Sequence, residues 1–334
     1  MTKQLRWGVL GCANIAVKSV IPGIKQSERG VVAAIASRDE SKARKTADQL
    51  GIEKAYGSYE ALLEDPDIDA VYVPLPNHLH KEWTIKAARA KKHVLCEKPI
   101  ALTAKEAEEM VQACREEGVH LAEAFMYRHH PRYDLLMDII QSGEIGTIRG
   151  IRGVFTFNNA SAKDNVRFYR SMGGGSIYDI GCYPISAARL IMQKEPEAAT
   201  VRAFFSPDHD YVDMMAAGLI EFEGDVALTF DCAMWAAGRN ELEILGTDGR
   251  IEFPSAFVSH QNENDHFFVT SRNGKRKVEV PMVNQYALQA DDFAAVVLDG
   301  KEPKFAPEDA VHNMRVIDAC LASAKRKERV LIGS

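Results

Sequence analysis

Three side chains in this sequence stand in patterns that could move a proton. Lys98 lies in Glu97-Lys98-Pro99, directly after the apolar run 93–96, while Asp179 and Tyr183 lie four residues apart between a triple glycine, Gly173-Gly174-Gly175, and Pro184. A free phenol titrates near pH ~10, and a neighbouring ammonium favours the phenolate. A Tyr183–Lys98 pair could therefore take or supply a hydroxyl proton closer to neutral pH. A spacing of four puts Asp179 and Tyr183 on one face if the segment is helical, with Pro184 disturbing the turn. Each residue also has a plainer reading. Tyr183 can be a core tyrosine at a helix start, Lys98 a solvated loop lysine paired with Glu97, and the triple glycine an ordinary loop rather than backbone passing close to a ligand.

These residues need elements to position them. Up to residue 124, short apolar runs (7–10, 31–36, 70–73, 93–96, 119–122) alternate with amphipathic segments (15–26, 41–50, 59–64, 80–90, 104–117). Ser41 can cap one helix, and Thr103 with Glu106 forms a capping box for another. Strands buried on both faces and alternating with helices predict a doubly wound parallel sheet of Rossmann type over residues 1–124. After residue 146 the rhythm changes to strands at 147–158, 200–206, 214–223, 226–235, 241–245, 250–254, 266–271 and 277–281, several joined by the turns Glu223-Gly224-Asp225, Asp248-Gly249 and Asn273-Gly274. Residues 125–334 are therefore expected to form a second α/β domain on a large open, mostly antiparallel sheet, closed by helices at 286–298 and 307–325.

The stretch Val9-Leu10-Gly11-Cys12-Ala13-Asn14-Ile15-Ala16 has the context of a dinucleotide fingerprint, with alanine where the later glycines would stand. Gly11 can make the tight turn, and the following helix start can receive a pyrophosphate through its free N–H groups and positive end. At the end of the second strand an acidic residue would bind a ribose hydroxyl and a basic one a 2′-phosphate. Here Ser37-Arg38, with Lys42 one turn on, suits NADP. NAD remains open because Asp39 is either a hydroxyl ligand or part of a helix start.

Bulk properties narrow the classes. The chain has 334 residues, with 41 basic and 47 acidic side chains for a net charge of −6 and no basic run, which argues against nucleic-acid or anionic-membrane partners. No apolar run is long enough to span a bilayer, and the N-terminus lacks a signal-peptide cleavage pattern. Six scattered cysteines without a C-x-x-C pair read as small apolar residues in a reducing, cytoplasmic compartment. His78 and His80, or His129 and His130, lack a third ligand at regular spacing, so no metal is expected.

Taken in order, G-C-A-N-I-A (11–16), V-P-L-P-N-H-L-H (73–80), H-V-L-C-E-K-P (93–99) and G-G-G-S-I-Y-D-I-G-C-Y-P (173–184) resemble the Gfo/Idh/MocA family of oxidoreductases over nearly the whole chain. The Ser37-Arg38 pair and Tyr183 are more similar to its sugar- and dihydrodiol-oxidising members than to its inositol enzymes. The resemblance implies that Cys12, Ala13, Asn14 and Ile15 line the pyrophosphate, and that Ser37, Arg38 and Lys42 meet the adenosine phosphate. Leu75, Pro76, Asn77 and His80 would border the ribose and nicotinamide, with Glu97 and Lys98 beneath. Arg128, Arg167 and Tyr286 would close the pocket from the second domain.

The expected activity is NADP-linked hydride transfer to or from a carbinol of a sugar, polyol or other vicinal diol. Tyr183 would be the acid/base, Lys98 its partner, and Asp179 the orienting carboxylate. The alternative is a non-catalytic NAD(P)-binding sensor of the same fold. The loops 159–167 and 259–265 are expected to set the substrate. The resemblance also implies a homodimer or homotetramer built on the outer face of the second sheet.

Overall fold

The computed structural model describes residues 3–162, 164–259 and 265–333. Of the two expected substrate loops, residues 163 and 260–264 lie outside the described residues. The chain forms two compact units, Met1–His129 with Asn284–Val311, and His130–Val283 with His312–Ser334.

In the first unit, β1 (Leu5–Leu10), β2 (Gly30–Ala36), β3 (Lys54–Tyr56), β4 (Ala70–Val73), β5 (His93–Cys96) and β6 (Leu121–Glu123) form one sheet in the order β3-β2-β1-β4-β5-β6. Every pairing is parallel. Leu5, Trp7, Val9 and Leu10 of β1 are all fully buried, as expected for a strand covered on both faces. The strand order reverses between β1 and β4, and the carboxyl ends there define the crevice where doubly wound sheets bind ligands. β3 was not expected, because Lys-Ala-Tyr at an edge carries no apolar run.

Two helix starts refine the capping picture. Asp39, not Ser41, caps the helix Glu40–Leu50: its carboxylate accepts from the Lys42 N–H at 3.1 Å and from the Ser41 hydroxyl at 2.7 Å. Carboxylates and hydroxyls cap equally well, and Asp39 occupies the extended position that the cap requires. At Ala104–Glu117 the Thr103 hydroxyl caps as expected, accepting from the Glu106 N–H at 3.2 Å, while the Glu106 carboxylate reaches back to the Leu102 N–H at 3.1 Å.

The expected division put 1–124 in the first unit and all of 125–334 in the second, whereas the chain divides after His129. The segment Asn284–Val311 returns to the first unit. Its helix Gln285–Asp299 buries Ala290, Phe293 and Ala294 in the first unit's core, with the Phe293 ring 4.8 Å from that of Trp7. A buried Phe stabilises by about 1.5–3 kcal/mol, so this apolar face holds the helix there whatever its place in the sequence. Gly23 lets the helices approach, since a Cβ at that position would lie 2.4 Å from Tyr286 Cβ.

The second unit is built on a nine-stranded sheet of β7 (Ile148–Asn158), β8 (Ala198–Phe205), β9 (Asp213–Phe222), β10 (Val226–Ala233), β11 (Trp235–Gly246), β12 (Arg250–Phe253), β13 (Phe267–Ser271), β14 (Gly274–Val278) and β15 (Val330–Leu331). The order is β14-β13-β12-β11-β7-β10-β9-β8-β15. Only β7 and β10 pair in parallel; the other described pairings are antiparallel. The β9–β10 turn uses Gly224 and Asp225 at φ 84° and 58°, the positive values such a tight hairpin demands. The helix Cys182–Met192 covers the inner face, where Pro184 packs so closely on β7 that a Cβ on Gly153 would lie 2.5 Å from the Pro184 Cβ. Among the described residues no helix is long and apolar enough to cross a membrane.

Candidate active site

In the first unit the chain leaves β1 through Gly11 at φ +117°, a conformation strained for any residue with a Cβ. A Cβ there would also stand 3.3 Å from Leu75. The Gly11 N–H donates to the Ala36 carbonyl at 2.9 Å, which ties the turn to the end of β2. The Val17 N–H donates to the Ala13 carbonyl at 3.0 Å, so the N–H groups of Cys12, Ala13, Asn14 and Ile15 stand at the head of a helix. Ala16 is fully buried in the core, which is the packing task of a fingerprint's last glycine. The first turns are wide, of π type, over Ala16–Val20. A glycine turn followed by helix-head donors is a cradle that fits a dinucleotide's diphosphate.

At the end of β2, Ser37 is buried and its hydroxyl accepts from the Asp39 N–H at 3.2 Å. Arg38 and Lys42 are exposed, and Asp39 is committed to its helix cap. Its hydrogen bonds from Ser41 and the Lys42 N–H hold its pKa below the usual carboxylate value. Sequence reasoning missed Tyr59, whose phenol lies within electrostatic reach of Arg38 and is pushed up in pKa by burial. Its hydroxyl lies 3.7 Å from where a Gly11 Cβ would be, and its ring stands edge-on to Trp83 with 4.8 Å between centroids. Tyr59 thereby stands between the glycine turn and the arginine, at the start of the segment 59–64 that the sequence marked only as an amphipathic helix.

At the end of β5 the Glu97 carboxylate is held from two sides. It accepts from the Tyr72 hydroxyl at 2.5 Å and, through Oε2, from the Lys98 N–H at 3.3 Å. Lys98 is half-buried. Tyr286 lies near Glu97; burial first, then the Glu97 charge, push its pKa up to about 12. His80 is fully buried, with Nδ1 2.9 Å from the Pro99 carbonyl and Nε2 2.7 Å from the Leu75 carbonyl. Burial holds its pKa down at about 4, despite the raising effect of those carbonyls. Its ring thus joins the loop holding Leu75, Pro76 and Asn77 to the loop holding Lys98. The packing of Tyr72 and His80 against the 97–100 corner depends on tertiary structure and was not visible in the motifs.

Arg128 and Tyr286, expected from the second domain, both stand in the first unit. Arg128 is buried, paired with Asp309, with its guanidinium 5.1 and 4.9 Å from the Phe125 and Phe305 ring centres. The returning segment explains the placement of Tyr286 and brings Phe305 and Asp309 to Arg128, which itself precedes the division after His129.

In the second unit Asp179 and Tyr183 do share a helical stretch. Ile177–Gly181 winds as a π turn that runs into the helix Cys182–Met192. Pro184 is the third residue of that α-helix, directly after the π turn. Tyr183 is 6% exposed, edge-on to Phe155 at 5.2 Å and tilted against Phe257 at 5.6 Å. Asp179 Oδ2 accepts from Arg167 Nε at 2.7 Å. The triple glycine has a structural cause: a Cβ on Gly174 would lie 2.3 Å from the Arg167 carbonyl, and one on Gly175 would lie 2.1 Å from Asp213 Oδ1. Among the described residues no three His, Cys, Asp or Glu side chains converge as a metal site.

Comparison with known proteins shows the family. Residues 5–125 match the model of an oxidoreductase family with an NAD-binding Rossmann fold, and residues 133–252 match the GFO/IDH/MocA C-terminal domain. An uncharacterized oxidoreductase of Rhizobium meliloti is 40% identical over 96% of this chain and 97% of its own length. A D-xylose 1-dehydrogenase (NADP(+)) of Haloferax volcanii is 38% identical over 96% of this chain and 98% of its own. Among solved structures, a 3-ketoreductase from Actinomadura kijaniata in complex with NADP and TDP-benzene superposes with a TM-score of 0.91 at 33% identity, covering 96% of this chain and 98% of that one.

Proposed function

The chain belongs to the Gfo/Idh/MocA oxidoreductases, and from that premise we propose that it is an NADP-dependent enzyme. It would transfer a hydride between nicotinamide and a carbinol carbon of a sugar, polyol or other vicinal diol. The observation that carries this reading is the Glu97–Lys98 corner, fixed by Tyr72 at the carboxyl edge of the Rossmann sheet. The NADP(+)-linked xylose dehydrogenase and the NADP-bound ketoreductase support both the cofactor and the substrate class. With such relatives, the catalytic reading is carried forward in place of the sensor.

Bound NADP supplies or accepts the hydride. The helix-head N–H groups of residues 12–15 would hold its diphosphate, Ser37, Arg38 and Lys42 its 2′-phosphate, and Leu75, Pro76, Asn77 and Tyr286 the nicotinamide side. Tyr183 takes the hydroxyl proton during oxidation and returns it during reduction. Lys98 is the first unit's candidate for holding the substrate oxygen, and Asp179, steered by Arg167, orients the substrate. His80 fixes two loops and leaves contact with the cofactor to its neighbours. Arg128, paired with Asp309, braces the same unit.

The outer sheet face exposes Phe204, Leu219 and Leu245, which supports a homodimer or homotetramer formed through it. Free thiols at all six cysteines, five of them buried, support a reducing cytoplasmic setting. The test is cofactor absorbance with a panel of sugars, polyols and ketosugars. The reading requires NADP-linked turnover with at least one of them, and its absence across the panel in both directions contradicts it.

A further inference from the structure

The sequence pattern drew no attention to Asp213, the first residue of β9. It is 3% exposed, and its Oδ2 accepts from the Ser176 hydroxyl and the Ile177 N–H, both at 2.8 Å. The other oxygen, Oδ1, lies against Gly175, where any Cβ would come within 2.1 Å. Gly175 stands at φ +122°, and its carbonyl accepts from the Asp179 N–H at 3.0 Å. One carboxylate therefore holds three consecutive residues, Gly175, Ser176 and Ile177, at the start of the winding that carries Asp179 and Tyr183.

Buried carboxylates are costly unless a task retains them, and stability alone does not explain this one. Burial pushes its pKa up to about 6, against the lowering effect of its donors. A titratable group facing it is Cys232 on β10, whose thiol lies 3.5 Å from the Ser176 hydroxyl and is itself pushed well up by burial. A raised carboxylate pKa means that the folded protein prefers the protonated acid. The contribution is complete below the ordinary value near pH ~4 and is lost as pH rises through about 6. At neutral pH the protein carries a charged group that weakens the fold and orders one helix start.

We propose that Asp213 is a positioning residue that, from β9, sets the start of the helical stretch bearing Asp179 and Tyr183 and thereby fixes where the phenol stands. This rests on the reading of Tyr183 as the acid/base. An ionised carboxylate offers only acceptors to Ser176 and Ile177. An asparagine must turn its NH2 toward either those donors or the Gly175 backbone, which shifts the turn.

The experiment compares Asp213→Asn and Asp213→Ala with the wild type and with Tyr183→Phe. Asp213→Asn is expected to lower kcat about tenfold or more and leave KM for NADP unchanged. It should flatten the acid limb of the kcat profile near pH 6 and melt no lower than the wild type at pH 8. Its amides at 177–183 should exchange faster by mass spectrometry. Wild-type kcat across pH 5–8 in Asp213→Asn overturns the proposal while the catalytic reading stands, provided Tyr183→Phe is impaired. Near-normal turnover in Tyr183→Phe instead overturns the catalytic reading. Should Asp213→Ala fail to fold, Asp213→Asn decides alone. Should no substrate be turned over, unchanged exchange at 177–183 in Asp213→Asn overturns the proposal.

Discussion

Arg167 donates through Nε to Asp179 Oδ2 at 2.7 Å, so two residues expected in separate roles, one at the cofactor and one in catalysis, form a single ion pair. The Arg167 side chain is 42% exposed and that of Asp179 13%, so the pair's worth is steering more than stability. Arg167→Ala and Asp179→Ala should each lower kcat/KM. Because they act together, a double-mutant cycle should give a coupling of about 0.5–3 kcal/mol. Strictly additive effects in that cycle would show that the two residues act independently.

Arg38 should set the cofactor preference. A hydrogen bond to a charged group contributes about 1.5–3 kcal/mol, so Arg38→Ala should weaken NADP roughly tenfold to a hundredfold and barely alter NAD. Fluorescence titration with both cofactors checks this. Equal affinity of the unmodified protein for the two would remove the assignment.

Gly11 is expected to be irreplaceable. At φ +117° a side chain adds backbone strain of about 1–3 kcal/mol, and its Cβ would press on Leu75. Gly11→Ala should lower both the melting temperature and the affinity for NADP. A variant that melts and binds like the wild type would show that the turn is not under this constraint.

Acid should loosen the first unit through Asp65. Burial alone would raise this carboxyl, but Lys54, the Asp67 N–H and the Tyr56 hydroxyl outweigh it and hold the pKa at about 2. Stabilisation by this group is therefore complete above its ordinary value near pH ~4, and is lost as pH falls toward about 2. Asp65→Asn should be less stable than the wild type at pH 6 and should approach it on acidification. A constant difference between the two across that range, followed by urea unfolding, would contradict the account.

Much of this was legible from local pattern. Continuous apolar runs revealed the strands of the parallel sheet because both of its faces are buried. The Glu223-Gly224-Asp225 and Asn273-Gly274 turns revealed hairpins because positive φ restricts residue choice. What escaped depended on distant partners. The helix at 285 reads as the tail of the second domain until Phe293 meets Trp7. Ser41 and Asp39 are both good caps, and backbone geometry alone chooses between them. The triple glycine reads equally as a ligand-passing or an ordinary loop until Asp213 and the Arg167 carbonyl are seen to occupy the space. Tyr59, Tyr72 and Asp213 carry no motif, so only tertiary structure could identify them.

The central claim is that Tyr183 is the acid/base, and the turnover of Tyr183→Phe tests it most directly. General acid–base catalysis contributes ~10²–10⁴-fold, so kcat should fall on that scale while NADP still binds with nearly unchanged affinity. Lys98→Met should fall comparably, and the double mutant should be little worse than either single one. Near-normal kcat in Tyr183→Phe, with any accepted sugar or polyol, would contradict the account.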